Sequence, residues 1–236
     1  MSSPALFFHP ELSHAGQILS LEENTARHVV QVLRMTSGEQ LQLTDGKGRT
    51  AMATIVEAGK KNCRVQTGEV LQQPPPEFQL HLGVAFTKNA SRNEWLLEKA
   101  TELGVRRIYP LITKRSEAPR IKAERWQGIL LSAMLQSQQY YLPELTEPTR
   151  LETVLPETSE LKLIAHCEAD RKRTLPSALP LKKSALILIG PEGDFTPDEI
   201  SLAMQQGFQG LFLGHTRLRT ETAAMAACAF LQLHHL

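Results

Sequence analysis

Cysteine is scarce in this chain of 236 residues. Cys63, Cys167 and Cys228 are far apart and odd in number, so they supply neither a disulfide framework nor a paired zinc motif. Histidines at metal-ligand spacing beside an acid are missing as well, and His234-His235 reads as a solvated pair. No metal dependence is expected. The longest apolar runs, such as Ala223 to Leu233, fall short of the roughly 20 residues that cross a bilayer. Met1-Ser2-Ser3-Pro4 lacks the basic start and apolar stretch of an export signal. The expected location is therefore the cytoplasm, with no membrane partner. A formal net charge of +1 excludes a chain that binds nucleic acid by overall charge alone. There is no Gly-x-Gly-x-x-Gly turn, P-loop, serine nucleophile elbow or His-Glu metal motif, which disfavours nucleotide-fingerprint enzymes and hydrolases.

What is present is a core-forming composition, 42% hydrophobic, and a change of pattern at one point. Up to residue 73 the chain reads as β structure. Gln40 to Thr44 alternates and runs into a turn at Asp45-Gly46-Lys47-Gly48, strands follow at Thr50 to Val56 and Cys63 to Val70, and a helical segment lies around Glu22 to Leu33. Short strands of this kind suggest a small barrel. Gln72-Gln73-Pro74-Pro75-Pro76-Glu77 then stiffens the chain and removes backbone donors, which makes it the best domain boundary. The division expected is 1–73 and 74–236.

Beyond the prolines strands and helices alternate. Strands are expected at Phe78 to Phe86, Arg107 to Ile112, Leu161 to Ala165, Ala185 to Ile189 and Leu211 to Leu213. Helices are expected after a Ser91/Glu94 capping box, from Lys122 to Gln139, after Thr196 and from about Ala223. This grammar gives an α/β domain with a mainly parallel sheet.

Two strand-loop-helix units close the chain, and their loops carry the chemistry. In the first, Gly190-Pro191-Glu192-Gly193-Asp194-Phe195 leads to a helix that Thr196 can cap, with Pro197 at its first position and Glu199 completing the box. Glu192 between the glycines would repel a phosphate and suits a ligand neutral or cationic at that end; a tight turn needing only glycine backbone freedom is the other reading. In the second, Arg217 and Arg219 approach the last helix, whose free amides Thr220, Glu221 and Thr222 could cap. That arrangement is either a structural cap with surface arginines or the floor of a pocket. Loops at strand ends are where open α/β sheets bind ligands. Between Arg106 and Arg125, seven basic residues are opposed by Glu117 and Glu124, either a phosphate-binding groove or a solvated face. Lys88 stands at a strand end where a substrate could lie, or is simply solvated.

Leu188 to Thr196 and Leu213 to Ala223 closely resemble the bacterial 16S rRNA uridine N3-methyltransferases of the SPOUT class. His28 to Arg34, Glu98 to Val105, Arg115-Ser116-Glu117, Arg125-Trp126 and Gln136-Ser137 are similar to further motifs of that family, in the same order. The resemblance implies a PUA-like β-barrel followed by a trefoil-knotted α/β domain, a homodimer, and S-adenosyl-L-methionine as cofactor. Its substrate would be 16S rRNA or the small ribosomal subunit. The implied cofactor contacts are Ile189, Gly190, Pro191, Glu192, Gly193, Leu213, Gly214, Leu218, Arg219, Thr220, Glu221, Thr222 and Ala223, with Arg219 and Glu221 at the reaction. RNA would meet Lys88, Arg115 and Arg120, and the N-terminal domain would hold it through Arg27, His28 and Arg34. The chain departs from the family at Thr216-Arg217-Leu218 and at Leu135 and Gln139, which touches single contacts, not the reaction. The rivals are a noncatalytic RNA-binding or assembly factor on the same fold and a SPOUT methyltransferase for another RNA position.

Overall fold

The computed structural model describes residues 4–59, 62–116, 122–167 and 182–235. Its contacts form two compact units, Met1–Pro75 with Met134–Leu142, and Pro76–Ala133 with Pro143–Leu236.

In the first unit, β1 (Leu6–Phe8), β2 (Ile18–Ser20), β3 (Gln40–Thr44), β4 (Arg49–Ala58) and β5 (Cys63–Gln72) form one sheet in the order β1-β3-β4-β5-β2. The alternation in Gln40 to Thr44 places Leu41 and Leu43 in the core with Ile55 and Val65. Helix α1 (Glu23–Arg27) runs on into a wider π turn, His28–Val32, which buries Ala26 and Val29 in the same core. The turn ends at Arg34 with φ of 58°. Met134–Leu142 belongs here through backbone pairing: Leu142 N–H donates to Gly46 O at 2.8 Å and Gly48 N–H to Tyr140 O at 2.9 Å. Its membership in this unit is set by hydrogen bonds that are remote in sequence, whereas the proline run marks only a break in the chain.

The second unit opens with β6 (Gln79–Val84), α2 (Ala90–Glu102), β7 (Val105–Ile112) and α3 (Ala123–Gln136). The short elements β8 (Glu144–Leu145), β9 (Thr149–Arg150) and α4 (Leu151–Val154) follow, then β10 (Leu161–Ala165), β11 (Ser184–Ile189), α5 (Pro197–Gln205), β12 (Gln209–Leu211) and α6 (Thr220–His234). The sheet order is β12-β10-β11-β6-β7-β8, with β9 also on β7. All these pairings are parallel. Central strands buried on both faces need continuous apolar runs, and β11 supplies one, Ala185 to Ile189 being buried throughout. Gly83 of β6 is required by packing, since a Cβ there would stand 2.6 Å from Leu188.

The caps differ partly from the sequence reading. Thr196 and Glu199 form the expected box at α5, with Pro197 at the first position. At α2 the cap is Asn89, whose side chain accepts from Arg92 N–H, two residues earlier than Ser91. Glu94 instead pairs with both arms of Arg125, at 2.5 and 2.6 Å, and is thereby held below the usual carboxylate range. The last strand is Gln209–Leu211, ending where Leu211 to Leu213 was expected to begin, and α6 starts at Thr220 instead of Ala223.

Candidate active site

Register alone gathers the loops. Val84 of β6 pairs with Ile189 of β11 and Pro110 of β7, and Ala165 of β10 pairs with both Ile189 and Leu211 of β12. In a parallel sheet the segments that follow these residues leave from one edge, the carboxyl edge where such sheets hold ligands. Residues 85–90, 114–116 and 191–193 meet there around a cavity of about 970 Å³. Its wall includes Lys88, Arg92, Arg115, Trp126, Glu192 and Gly193.

Each wall is fixed by a local device. Asn93, buried on the second turn of α2, accepts from Thr87 N–H at 2.9 Å and donates to Thr87 O at 2.8 Å. The bend that carries Lys88 is thus held by one amide side chain. Phe86 and Trp126 meet edge to face, with ring centroids 5.1 Å apart, and make the apolar wall. Asp194, at φ 63°, accepts from Phe195 N–H at 2.8 Å through Oδ1 and from Cys167 N–H at 2.7 Å through Oδ2. Arg115 Nη1 donates to Gly193 O at 2.6 Å and to Phe195 O at 3.5 Å. Part of Arg115 is therefore committed to holding the glycine loop. Buried Glu199 ties that loop's helix to the segment after β7, taking Lys114 N–H on Oε1 at 2.8 Å.

The two terminal units come together. Thr220 Oγ1, the candidate amide cap, donates to Gly190 O at 3.2 Å, while Arg219 occupies the cap position of α6 with no side-chain cap bond. Glu221 is buried in the first turn, its carboxylate 3.5 Å from Arg92 Nε, and Arg92 Nη1 lies 3.3 Å from Glu192 Oε1. One guanidinium so joins both loops. Gly214 has φ of 120°, a conformation that side chains resist. Leu213, Leu218 and Ala223 are half-buried, Thr222 and Arg219 are exposed, and none of the 213–223 segment lines the cavity. Burial pushes the Cys228 thiol of α6 up to about 12, which removes it as a nucleophile at neutral pH.

Of the expected RNA contacts, Lys88 and Arg115 share the cavity wall, and Arg120 lies outside the described residues. Arg27, His28 and Arg34 lie exposed on the first unit, where Arg27 pairs with Glu23 at 2.9 Å and His28 meets the edge of Phe7. The sequence reading missed Arg92 and Asn93, and named Trp126 only as part of a family-like motif without a place in the site. Recognising Asn89 as the cap would have brought Arg92 into the first turn of α2; nothing local marked its two acidic partners, 100 and 129 residues on.

A cationic, partly apolar ligand fits this donor set. Glu192 and Glu221 offer negative charge, one oxygen of Glu221 is buried with no hydrogen-bond partner, and a Cβ on Gly190 would crowd Phe195 at 3.1 Å, so the backbone there stays bare.

The family model described as RNA methyltransferase domain matches residues 74–232, and that described as RNA methyltransferase PUA domain matches residues 21–67. A Mycobacterium tuberculosis (strain CDC 1551 / Oshkosh) protein named ribosomal RNA small subunit methyltransferase E is 30% identical over 234 residues, covering 94% of this chain and 88% of its own. Among solved structures, a methyltransferase of Legionella pneumophila in complex with the bound cofactor SAM is 34% identical, with TM-score 0.83 over 99% of this chain and 98% of that one. A ribosomal RNA small subunit methyltransferase E of Neisseria gonorrhoeae bound to S-adenosyl methionine is 29% identical, with TM-score 0.84 over 99% and 98%.

Proposed function

This chain belongs to the RNA methyltransferase family, and from that premise we propose that it transfers a methyl group to N3 of one uridine in 16S ribosomal RNA. It is an S-adenosylmethionine-dependent enzyme of the small-subunit rRNA methyltransferases. The observation that carries the uridine reading is the joining of the two family-like loops, Gly190 to Phe195 and Leu213 to Ala223, by the Thr220–Gly190 bond beside a cavity with basic and aromatic walls.

When bound, S-adenosylmethionine supplies an electrophilic methyl group, and the chain has to orient the acceptor and receive a proton. The backbone of residues 189–193, 213–214 and 218–223 would hold the cofactor, with Glu192 and Glu221 facing its positive charge. N3 sits on the pairing edge of uracil, so the base enters unpaired or flipped. Trp126 and Phe86 provide the apolar wall for it, and Lys88 and Arg115 suit the flanking phosphates. Arg120 belongs to the same basic segment. Arg219, exposed at the cap of α6, can reach toward the base without disturbing the core. The N-terminal unit, through Arg27, His28 and Arg34, would hold the RNA in register. The working form on this reading is a cytoplasmic homodimer that needs no metal.

The test is labelled methyl transfer from S-adenosylmethionine to small ribosomal subunits lacking the modification, followed by nucleoside mass spectrometry. N3-methyluridine is the expected product. Cofactor binding without transfer would favour a noncatalytic factor, and a different methylated nucleoside would assign another RNA position.

A further inference from the structure

Two glutamates hold equivalent places in the two terminal units. Glu199 and Glu221 each lie in the first turn of the helix after a loop, and both are buried. Glu199 is fully engaged: Oε1 accepts from Lys114 N–H at 2.8 Å, and Oε2 accepts from Thr196 N–H at 2.8 Å and Thr196 Oγ1 at 3.0 Å. Glu221 is not. Its Oε1 has only Arg92 Nε at 3.5 Å, and its buried Oε2 has no hydrogen-bond partner. The large majority of buried side-chain polar atoms have a partner, so an acid with one oxygen bare has the capacity to take a donor that arrives with a ligand.

Arg92 links this acid to the cavity. It lines the cavity together with Glu192, and its Nη1 and Nε address Glu192 and Glu221 separately. A planar guanidinium fixes two acids at a set angle, which a lysine ammonium does not.

Building on the N3-methylation reading, we propose that Arg92 is a positioning residue for methyl transfer, holding Glu221 by Oε1 so that Oε2 accepts the N3 proton of the target uracil. The N3–H bond breaks and an O–H bond forms on Glu221. The N3 electron pair forms the new N–CH₃ bond, and the pair of the broken S–CH₃ bond stays on sulfur. The carboxylate loses its negative charge as the sulfonium loses its positive one, so the site ends with the net charge it had. Helix α6 packs on α2, β6 and β11. These carry Arg92, Glu94, Glu98, Lys99 and Glu102 on α2, His81 on β6 and no titratable side chain on β11. Of them only Arg92 pairs with Glu221 among the described residues.

The experiment uses the full chain, with S-adenosylmethionine affinity measured by calorimetry and single-turnover methylation of unmodified subunits measured against pH. Wild-type protein must first bind the cofactor and form N3-methyluridine; if it forms none, the functional reading falls and this proposal with it. Glu221→Gln keeps the shape of the side chain. Removing a charge that faces the sulfonium is expected to weaken cofactor binding by less than about tenfold, while the rate at saturating cofactor drops at least about 100-fold and the acid limb of the profile disappears. Arg92→Ala should lower kcat more than it raises KM for the subunit. Arg92→Lys keeps the charge without the planar fork and should recover only part of the lost kcat. Wild-type unfolding midpoints in the variants separate these effects from loss of fold. A Glu221→Gln protein with cofactor affinity weakened more than about tenfold, but a normal rate at saturation, would assign Oε2 to a donor on the cofactor and overturn the proposal. An unchanged acid limb in Glu221→Gln, or an unchanged kcat in Arg92→Ala, would overturn it too.

Discussion

Thr220 Oγ1 donates to the carbonyl of Gly190 across thirty residues of sequence, a buried bond between the start of the last helix and the end of β11. Its two ends lie in the two loops that resemble the family's most specific motifs. The bond therefore turns two separate sequence signals into one structural unit.

Thr220→Val keeps the shape of the side chain and leaves the Gly190 carbonyl without its donor. Stability should fall by about 1–3 kcal/mol, the loss that follows an unsatisfied buried group. A denaturation curve with a lower midpoint and unchanged slope checks this. Because the bond tethers the glycine loop, calorimetry should also show weaker S-adenosylmethionine binding. Unchanged cofactor affinity would limit Thr220 to a role in folding.

The capping box at α5 makes a separate prediction, remote from any ligand. Thr196→Ala removes the acceptor for Glu199 N–H and one of the donors to Glu199 Oε2. Loss of about 1 kcal/mol is expected, with no change in cofactor affinity. A larger loss, accompanied by weaker cofactor binding, would show that Glu199 transmits the damage to Lys114 and the cavity wall.

The legibility of this chain follows from how local each device is. Thr196-Pro197-Asp198-Glu199 carries its whole helix start within four residues, and the observed cap is the one it spells out. Gln40 to Thr44 and Ala185 to Ile189 likewise declare their strands through alternation and an unbroken apolar run. Asn89 was masked by Ser91 and Glu94, which fit a capping pattern two residues later while Glu94 is in fact occupied by Arg125. The clamp of Arg92 on Glu192 and Glu221 is a product of strand order: it exists only because β6 and β11 are neighbours although α2, β7 and β10 intervene in the chain. No periodicity encodes that. The candidate site was proposed from glycine, acid and arginine chemistry in its loops, whereas the contacts between those loops depend on topology.

His81 of β6 predicts a pH effect. Burial first, and then the charge of Arg107, lower its pKa below 6.5. The folded state thus resists protonation while the unfolded state accepts it, so the stabilising contribution is complete above about 6.5 and is lost as pH falls through the folded-state value. His81→Gln should flatten this part of the stability profile between neutral and mildly acidic pH, measured by denaturant unfolding at a series of pH values. An identical acid loss in the variant would place its origin in other groups.

The charged wall of the cavity gives the last prediction. Lys88 and Arg115 both line it, but Arg115 also spends a donor on Gly193 O, so the two residues should respond differently. Lys88→Glu should weaken binding to the small subunit and flatten its salt dependence, by about 0.7 in the log–log slope for each phosphate of single-stranded RNA that is no longer neutralised, with cofactor affinity unchanged. Arg115→Glu should do the same and also loosen the glycine loop, so its cofactor affinity should fall. Arg115→Lys keeps the charge but cannot reproduce the guanidinium's hold on both Gly193 O and Phe195 O; it should restore most of the salt slope while leaving cofactor binding impaired. That split between charge and geometry distinguishes a phosphate contact from a loop anchor. Equal effects of Lys88→Glu and Arg115→Glu on RNA and cofactor would refute it, and RNA affinity unchanged in both would return this wall to a solvated basic face.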